Sequence, residues 1–395
     1  MEWKCEQLSR LLDKWAFLDI LGHAGRLAIL VALISYIMGG EGRQKAKHYQ
    51  AWQVINSAQG KSGSGGRKTA LEDLNNDHVS LAGVDISKAH LPGLNLAKAD
   101  LRDANFAGAY IWDANFTGAV LNRANLAGAY LPNTNFTGAA FFIANFAGAY
   151  LKGMNFTRAF LWETDFTGAC LREANLTRTN LTDANLTDAD LSKAYLSDAN
   201  LAGADLTGAD FTFANLAGTN LERAKLIEAK FKNADLTGAN ISCAYLIKAN
   251  FSAANLTGAD FRETVLHWTN LTDTNLADAN FSSADLSEVN LTGATLKGAN
   301  FAGASLGSEF LEIAGTLMIK EQYVRGANFA GANLDSIRNW RDIKTIQEAN
   351  IFGVKNPPDG FIEWATERGA VSIEDPNEWE KLIQDKSPGR TNKKQ

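Results

Sequence analysis

The sequence predicts a solenoid, a chain that winds around its own core and stacks coil upon coil, and three observations predict it. From Leu81 to Leu306 every fifth residue is Leu, Phe or Ile, at 46 consecutive positions. Two residues before it, from Val84 to Ala304, Ala stands at 34 of 45 positions and Thr at most of the others. The residue between them is usually Asn or Asp, as in Ala104-Asn105-Phe106, Ala124-Asn125-Leu126 and Ala204-Asp205-Leu206.

A period of five fits neither regular element. A helix turns about 100° per residue, so an apolar residue every five would spiral around it and give no buried face. In a straight strand an odd spacing sends successive large side chains to opposite sides. The chain must therefore bend once per unit so that each Leu or Phe points inward. The Gly, Asp, Asn, Ser and Thr of the two variable positions, as in Thr117-Gly118 and Thr182-Asp183, supply the turn chemistry.

The A(N/D)(L/F)xx run resembles the pentapeptide-repeat family, and the resemblance spans residues 81 to 306. It implies an all-β solenoid, a right-handed β-helix of square section with four units per coil. In that fold Phe106, Phe116, Leu126, Phe136 and Leu206 fill the axis, and the Asn or Asp points outward. At the inter-strand spacing of about 4.8 Å the repeat would make roughly eleven coils, a rod on the order of 55 Å long.

The flanks divide into further segments. Residues 1–14 form an N-terminal segment, and residues 15–40 a hydrophobic helix holding the run LAILVALISYIM, with Leu27, Leu30, Leu33, Ile34 and Ile37 as candidate anchor residues. The run itself is twelve residues, short of the roughly 20 that span a bilayer, and its helical pattern extends back to Trp15. The segment reads as a membrane anchor, single-pass or interfacial, with a soluble packing helix as the alternative. HYQAWQVIN and the glycine stretch after it resemble the membrane-anchored members of the family, which implies a membrane location. Arg43, Lys45 and Lys47 at one end, against Lys4, Arg10 and Lys14 offset by acids at the other, favour the rod on the cytoplasmic side. Residues 41–80 read as a helical linker and a cap over the first coil. After the repeat come an insertion at 307–326, terminal repeats at 327–336 around Phe329 and Leu334, a helical cap at 337–385 and a tail at 386–395. The terminal helices could also join two rods.

Composition limits the chemistry. The net charge is −6, and residues 81–306 carry 22 acidic and 16 basic side chains, so nucleic acid is not the expected partner. Three distant cysteines and five scattered histidines give no metal-ligand spacing. Gly60-Lys61-Ser62 lacks the first glycine of a phosphate loop, because Ile55 stands in its place. No catalytic residue, cofactor or metal is assigned. The informative departures are Tyr110, Tyr130 and Tyr150, twenty residues apart where Asn or Asp is expected, with Trp112 two residues beyond the first. Val120, Ala140 and Phe160, with Trp162, make a second such series. If four units make a coil, each series stacks on one face, as an interaction surface or as a device that stabilises the stack. The resulting expectation is a non-enzymatic, membrane-anchored scaffold for a protein partner. The alternative, from another branch of the same family, is a DNA-mimicking regulator of a topoisomerase.

Overall fold

The computed structural model describes residues 23–286 continuously, most of 289–304, and scattered positions from 329 to 382. It divides into two units, Met1–Ser57 and Ala58–Gln395. In the first, one helix, α1, runs from His23 to Ser57, straight through Gly39-Gly40 and into the polar, basic stretch beyond. Leu27, Leu30, Leu33, Ile34 and Ile37 fall in this helix, and their side chains lie outside the described set. Among the described residues no helix is long and apolar enough to cross a membrane. The expectation of a spanning helix finds no support among these residues, and the sequence holds the reason in its short apolar run. Twelve apolar residues rise about 18 Å, well short of the roughly 30 Å hydrocarbon layer. Residues 1–22, which hold the N-terminal segment and the start of the expected anchor, lie outside the described residues.

The second unit is built of coils. Parallel bridges join residues twenty apart, from Asp85↔Asn105 to Asn280↔Asn300, so four five-residue units make each coil. One unit shows how every backbone donor is used. The Ala104 N–H closes a turn onto the Leu101 carbonyl at 3.1 Å, Asn105 N–H donates to Val84 in the preceding coil at 2.8 Å, and Phe106 N–H donates to Asn125 in the next at 2.7 Å. Gly108 N–H also reaches the next coil, at Ala127, 2.9 Å away. The fifth donor, Ala107 N–H, is taken by the side-chain oxygen of Asn105 at 3.1 Å. Asn and Asp recur before the core residue because a backbone N–H has no other acceptor there.

The turns carry a second requirement. At every unit from Gly83 to Ser283 the residue two after the core position has a positive φ, between 52° and 72°. This is the left-handed conformation of the third residue of a type II turn, which glycine adopts freely and other residues only at a cost. Of these 41 positions glycine holds 14, and Asp, Lys, Arg and even Ile143, Phe213 and Trp268 hold others.

Inside, Phe106, Phe116, Phe136 and Leu206 are fully buried and Leu126 is nearly so. Core rings stack coil on coil, with Phe116, Phe136 and Phe156 spaced 4.9 and 5.5 Å apart and Phe261, Phe281 and Phe301 spaced 4.6 and 5.0 Å. Where Thr replaces Ala beside the core its buried hydroxyl finds a carbonyl, as Thr134 does on Ile111 at 3.2 Å and Thr219 on Leu196 at 3.0 Å.

The ends are closed differently. Helix α2, Arg67–Asn76, packs Ala70, Leu71 and Leu74 inward and supplies what the first coil lacks from a preceding one. Lys68 Nζ donates to the Pro92 carbonyl at 2.9 Å, Asn75 Nδ2 to Ala97 at 3.1 Å, and Glu72 Oε1 accepts from Asn95 N–H at 2.9 Å. At the other end the 307–326 insertion and Leu334 lie outside the described residues, while the Phe329 ring stacks on Phe301 at 5.4 Å. Repeat geometry also returns inside the segment expected to be a helical cap. Asn350 bridges Val371, its Oδ1 accepts from Phe352 N–H at 3.1 Å, and Gly353 has a φ of 60°. A short helix, α3, Phe361–Glu367, follows, with Arg368 over the Trp364 ring at 4.8 Å.

Two stability results follow. Phe136→Ala should lose about 3–5 kcal/mol and Leu206→Ala about 2–5 kcal/mol in urea unfolding, because neither cavity can collapse between hydrogen-bonded coils. A Cβ added at Gly148 meets no atom within 4 Å, so Gly148→Ala isolates the backbone term. It should cost about 1–2 kcal/mol, and Phe213→Gly should not destabilise the protein.

Candidate functional site

Two faces of the same coils depart from the Asn/Asp rule. On one, bridges run His90↔Tyr110↔Tyr130↔Tyr150↔Cys170, so the three tyrosines expected to align do form one ladder. Tyr130 and Tyr150 stack at 4.9 Å and 11°, and Tyr110 meets Tyr130 at 6.0 Å and 35°. Tyr110 is 52% exposed and Tyr130 39%, while Tyr150 is half-buried. One flank is Ala107-Gly108, Ala127-Gly128 and Ala147-Gly148, which leaves the rings standing above their surroundings. The other flank is a corner of Pro92, Trp112 and Pro132, with the His90 ring edge-on to Trp112 at 4.8 Å. Both prolines follow a His or Tyr in place of Asn or Asp, and proline has no N–H for such an acceptor to satisfy. Between ladder and corner lies a shallow depression of about 390 Å³ lined by Trp112, Asp113, Tyr130, Pro132 and Asn133.

The opposite face carries Val120↔Ala140↔Phe160. Phe160 is 59% exposed, and beside it Trp162 lies against Phe142 with ring centres 4.8 Å apart. Trp162 Nε1–H donates to Asp183 Oδ2 at 3.4 Å. Ile143, exposed and at a φ of 56°, completes this patch at the corner.

A third cluster went unassigned in the sequence. Lys225, Tyr245 and Val265 succeed one another on an adjacent face, next to an exposed Trp268, with His267 Nε2 2.7 Å from Asp285 Oδ2. The signal was the same one, a departure from Asn or Asp recurring at twenty residues.

The surface offers little for covalent chemistry. Among the described residues no group of His, Cys, Asp and Glu could hold a metal ion. Burial, then the Glu263 carboxylate, pushes the Cys243 thiol above its usual range, which disfavours the reactive thiolate. Many charges pair one coil apart, as Arg123 with Asp103 at 2.6 Å and Lys248 with Glu228 at 3.6 Å. Hydrogen bonds from Arg102 hold the Asp100 carboxyl well below the carboxylate range. At Gly60-Lys61-Ser62 the Lys61 and Gly63 carbonyls accept from Arg67 Nη2. The loop therefore presents carbonyl oxygens inward, where a phosphate loop would present N–H groups.

Comparison with known proteins agrees with this architecture. The profile for pentapeptide repeats matches residues 80–111, 113–141, 144–183, 184–223 and 204–242, and a pentapeptide repeat region profile matches 224–301. HetL, a pentapeptide repeat protein of the cyanobacterium Nostoc involved in heterocyst differentiation regulation, is 31% identical over 54% of this chain and 89% of its own, with a TM-score of 0.23. QnrB1, a plasmid-mediated fluoroquinolone resistance protein, is 19% identical over 53% of this chain and 91% of its own, with a TM-score of 0.33. A pentapeptide repeat protein of the Arabidopsis thaliana thylakoid lumen is 37% identical over 25% of this chain and 63% of its own, with a TM-score of 0.15. No match was found among curated proteins. The profiles together span more than half of the 395 residues, and the chain belongs to the pentapeptide-repeat family, its solenoid being that family's right-handed β-helix.

Proposed function

We propose that this protein is a non-catalytic interaction scaffold whose rod receives a protein partner on the face of Tyr110, Tyr130 and Tyr150. The observation that carries the reading is the replacement of Asn or Asp at three consecutive coils by stacked rings, Tyr110 and Tyr130 exposed and Tyr150 half-buried, beside a 390 Å³ depression. At Tyr110 and Tyr150 the replacement gives up the side-chain acceptor used elsewhere, worth about 1 kcal/mol, and all three tyrosines place apolar ring surface where a polar side chain usually stands. Tyr and Trp in such a setting are the residue types that dominate binding energy at interfaces. The part HetL plays in regulating differentiation fits a rod that acts by contact.

The finer reading attaches the rod to a membrane surface, on the cytoplasmic side. It rests on the apolar run of α1 followed by Arg43, Lys45 and Lys47, a pattern suited to a helix lying in the interface of an anionic bilayer. The DNA-mimic alternative has less support, because the rod's excess of acids is only six and many of them are neutralised one coil away.

Full-length protein carrying Tyr130→Asn and Tyr150→Asn should unfold at a urea concentration no lower than the parent's, yet fail to retain the partner that the parent pulls down. Equal retention by both would overturn the assignment of this face. With vesicles containing anionic lipid, the parent should float, and a variant with Leu30→Asp, Leu33→Asp and Ile37→Asp should stay at the bottom of the gradient. A parent that does not float removes the membrane from the reading and leaves the partner face untouched.

A further inference from the structure

Once the tyrosine face is read as the docking surface, a reading this inference rests on, its hydrogen-bonding groups specify the chemistry of what docks. The face is rich in unspent donors. In units with Asn or Asp before the core residue, the side-chain oxygen takes the N–H two residues on, as Asn105 does for Ala107. Tyr110 stands in that place before Trp112, and the Trp112 N–H has no partner among the described residues. The indole Nε1–H of Trp112 and the hydroxyls of Tyr110, Tyr130 and Tyr150 have none there either. The backbone acceptors, by contrast, are spent. The carbonyls of Tyr110, Trp112, Tyr130 and Pro132 each take an N–H from the preceding coil, at 2.8 to 3.2 Å. A β-strand therefore cannot add to this wall, because strand addition needs free N–H and C=O groups in alternation.

The occupant must bring acceptors for those donors and flat apolar groups for the rings. A polyproline II segment brings both, since it has no internal hydrogen bonds and its prolines supply rings without N–H groups. Aromatic-lined grooves are a recurring way to bind such segments. The repeat lengths also agree. Three residues of polyproline II rise about 9.3 Å, and two coils of the rod advance about 9.6 Å. Prolines three residues apart thus meet equivalent places two coils apart, as Tyr110 and Tyr150 are. Asp113 adds a charge. It lines the depression beside Trp112, Tyr130 and Pro132 and has no ion-pair partner among the described residues, so it is placed to receive a Lys or Arg next to the prolines.

We propose that the tyrosine face binds a proline-rich segment of its partner in the polyproline II conformation, lying along the rod. Its rings pack on Tyr110, Tyr130 and Trp112, a carbonyl accepts from the Trp112 N–H where an Asn oxygen stands in other units, and a basic residue pairs with Asp113.

Fluorescence polarisation with the full-length protein and a labelled oligoproline peptide bearing one terminal arginine tests this. The parent should bind with a Kd of roughly tens to hundreds of micromolar, the strength of a shallow, solvent-facing groove. A glycine–serine peptide of equal length and charge should bind at least about tenfold more weakly, because it is a flexible coil. Tyr130→Asn with Tyr150→Asn, and separately Trp112→Pro, should each weaken oligoproline binding about tenfold or more. Trp112→Pro is the fold's own alternative at this corner, as Pro92 and Pro132 show, so its circular dichroism spectrum should match the parent's. Asp113→Asn should cost about two- to fivefold for the arginine-bearing peptide and nothing for an oligoproline without it. No binding by the parent up to about 1 mM peptide, or binding that the tyrosine and Trp112 variants leave unchanged, overturns the proposal. If oligoproline fails to bind while the tyrosine variant still loses the partner that the parent pulls down, the proline-rich identity falls and the docking face stands.

Discussion

A chain that buries one large side chain every five residues has to change direction after each of them, and here it does so through a residue held in the left-handed region. That position sets the geometry on which everything else rests. With the third turn residue at a φ near 60°, the next Ala N–H closes back onto the core residue's carbonyl, and the chain emerges ready to pair with the coils on either side. Glycine would be the least strained choice throughout, yet it occupies a minority of these positions. The rest are filled by side chains that gain something from standing at a corner. Some gain an ion pair to the next coil, as Asp103 does with Arg123, and Asp198 with Arg178 at 3.4 Å.

The accounting of the backbone explains why function can vary without disturbing the fold. Core side chain, neighbouring Ala and the coil-to-coil hydrogen bonds are fixed by the stack. The Asn or Asp side chain contributes only a cap on one N–H, and its loss is local. Faces can therefore exchange that cap for Tyr, Phe, Val or Lys, coil by coil. The chain does so in blocks, tyrosines on one side of coils whose other side carries Val120, Ala140 and Phe160. A rigid interior with an editable exterior suits recognition.

Much of this was legible in the residues. The period of five excluded helix and straight strand, and the identity of the core followed directly from it. Four units per coil is a property of the pairing, invisible in the period and supplied by the family likeness. The left-handed requirement was hidden because Asp, Arg, Lys and Phe stand where glycine would have announced it. Residues 349–353 were missed as a repeat because Ala349-Asn350-Ile351 stands apart from the regular run, and its Asn350 pairs with Val371 across a helix. The tyrosine and phenylalanine ladders were visible as departures spaced by twenty, whereas Tyr245 and Val265 were passed over among lysines. The anchor reading of residues 15–40, single-pass or interfacial, rests on a twelve-residue apolar run and its extension back to Trp15, and no described helix is long and apolar enough to span a membrane.

Because one unit advances the chain by a quarter of a coil, length and direction are separate variables in this molecule. Gaining or losing a single five-residue unit would keep every later Leu or Phe on the axis and every turn intact, while swinging each later face through a right angle. Gaining or losing four would shift those faces along the rod without turning them. The azimuth of any surface feature relative to the first coil is thus recorded as a residue count modulo twenty. Two such rods could share almost every side chain and still present their ladders to different neighbours.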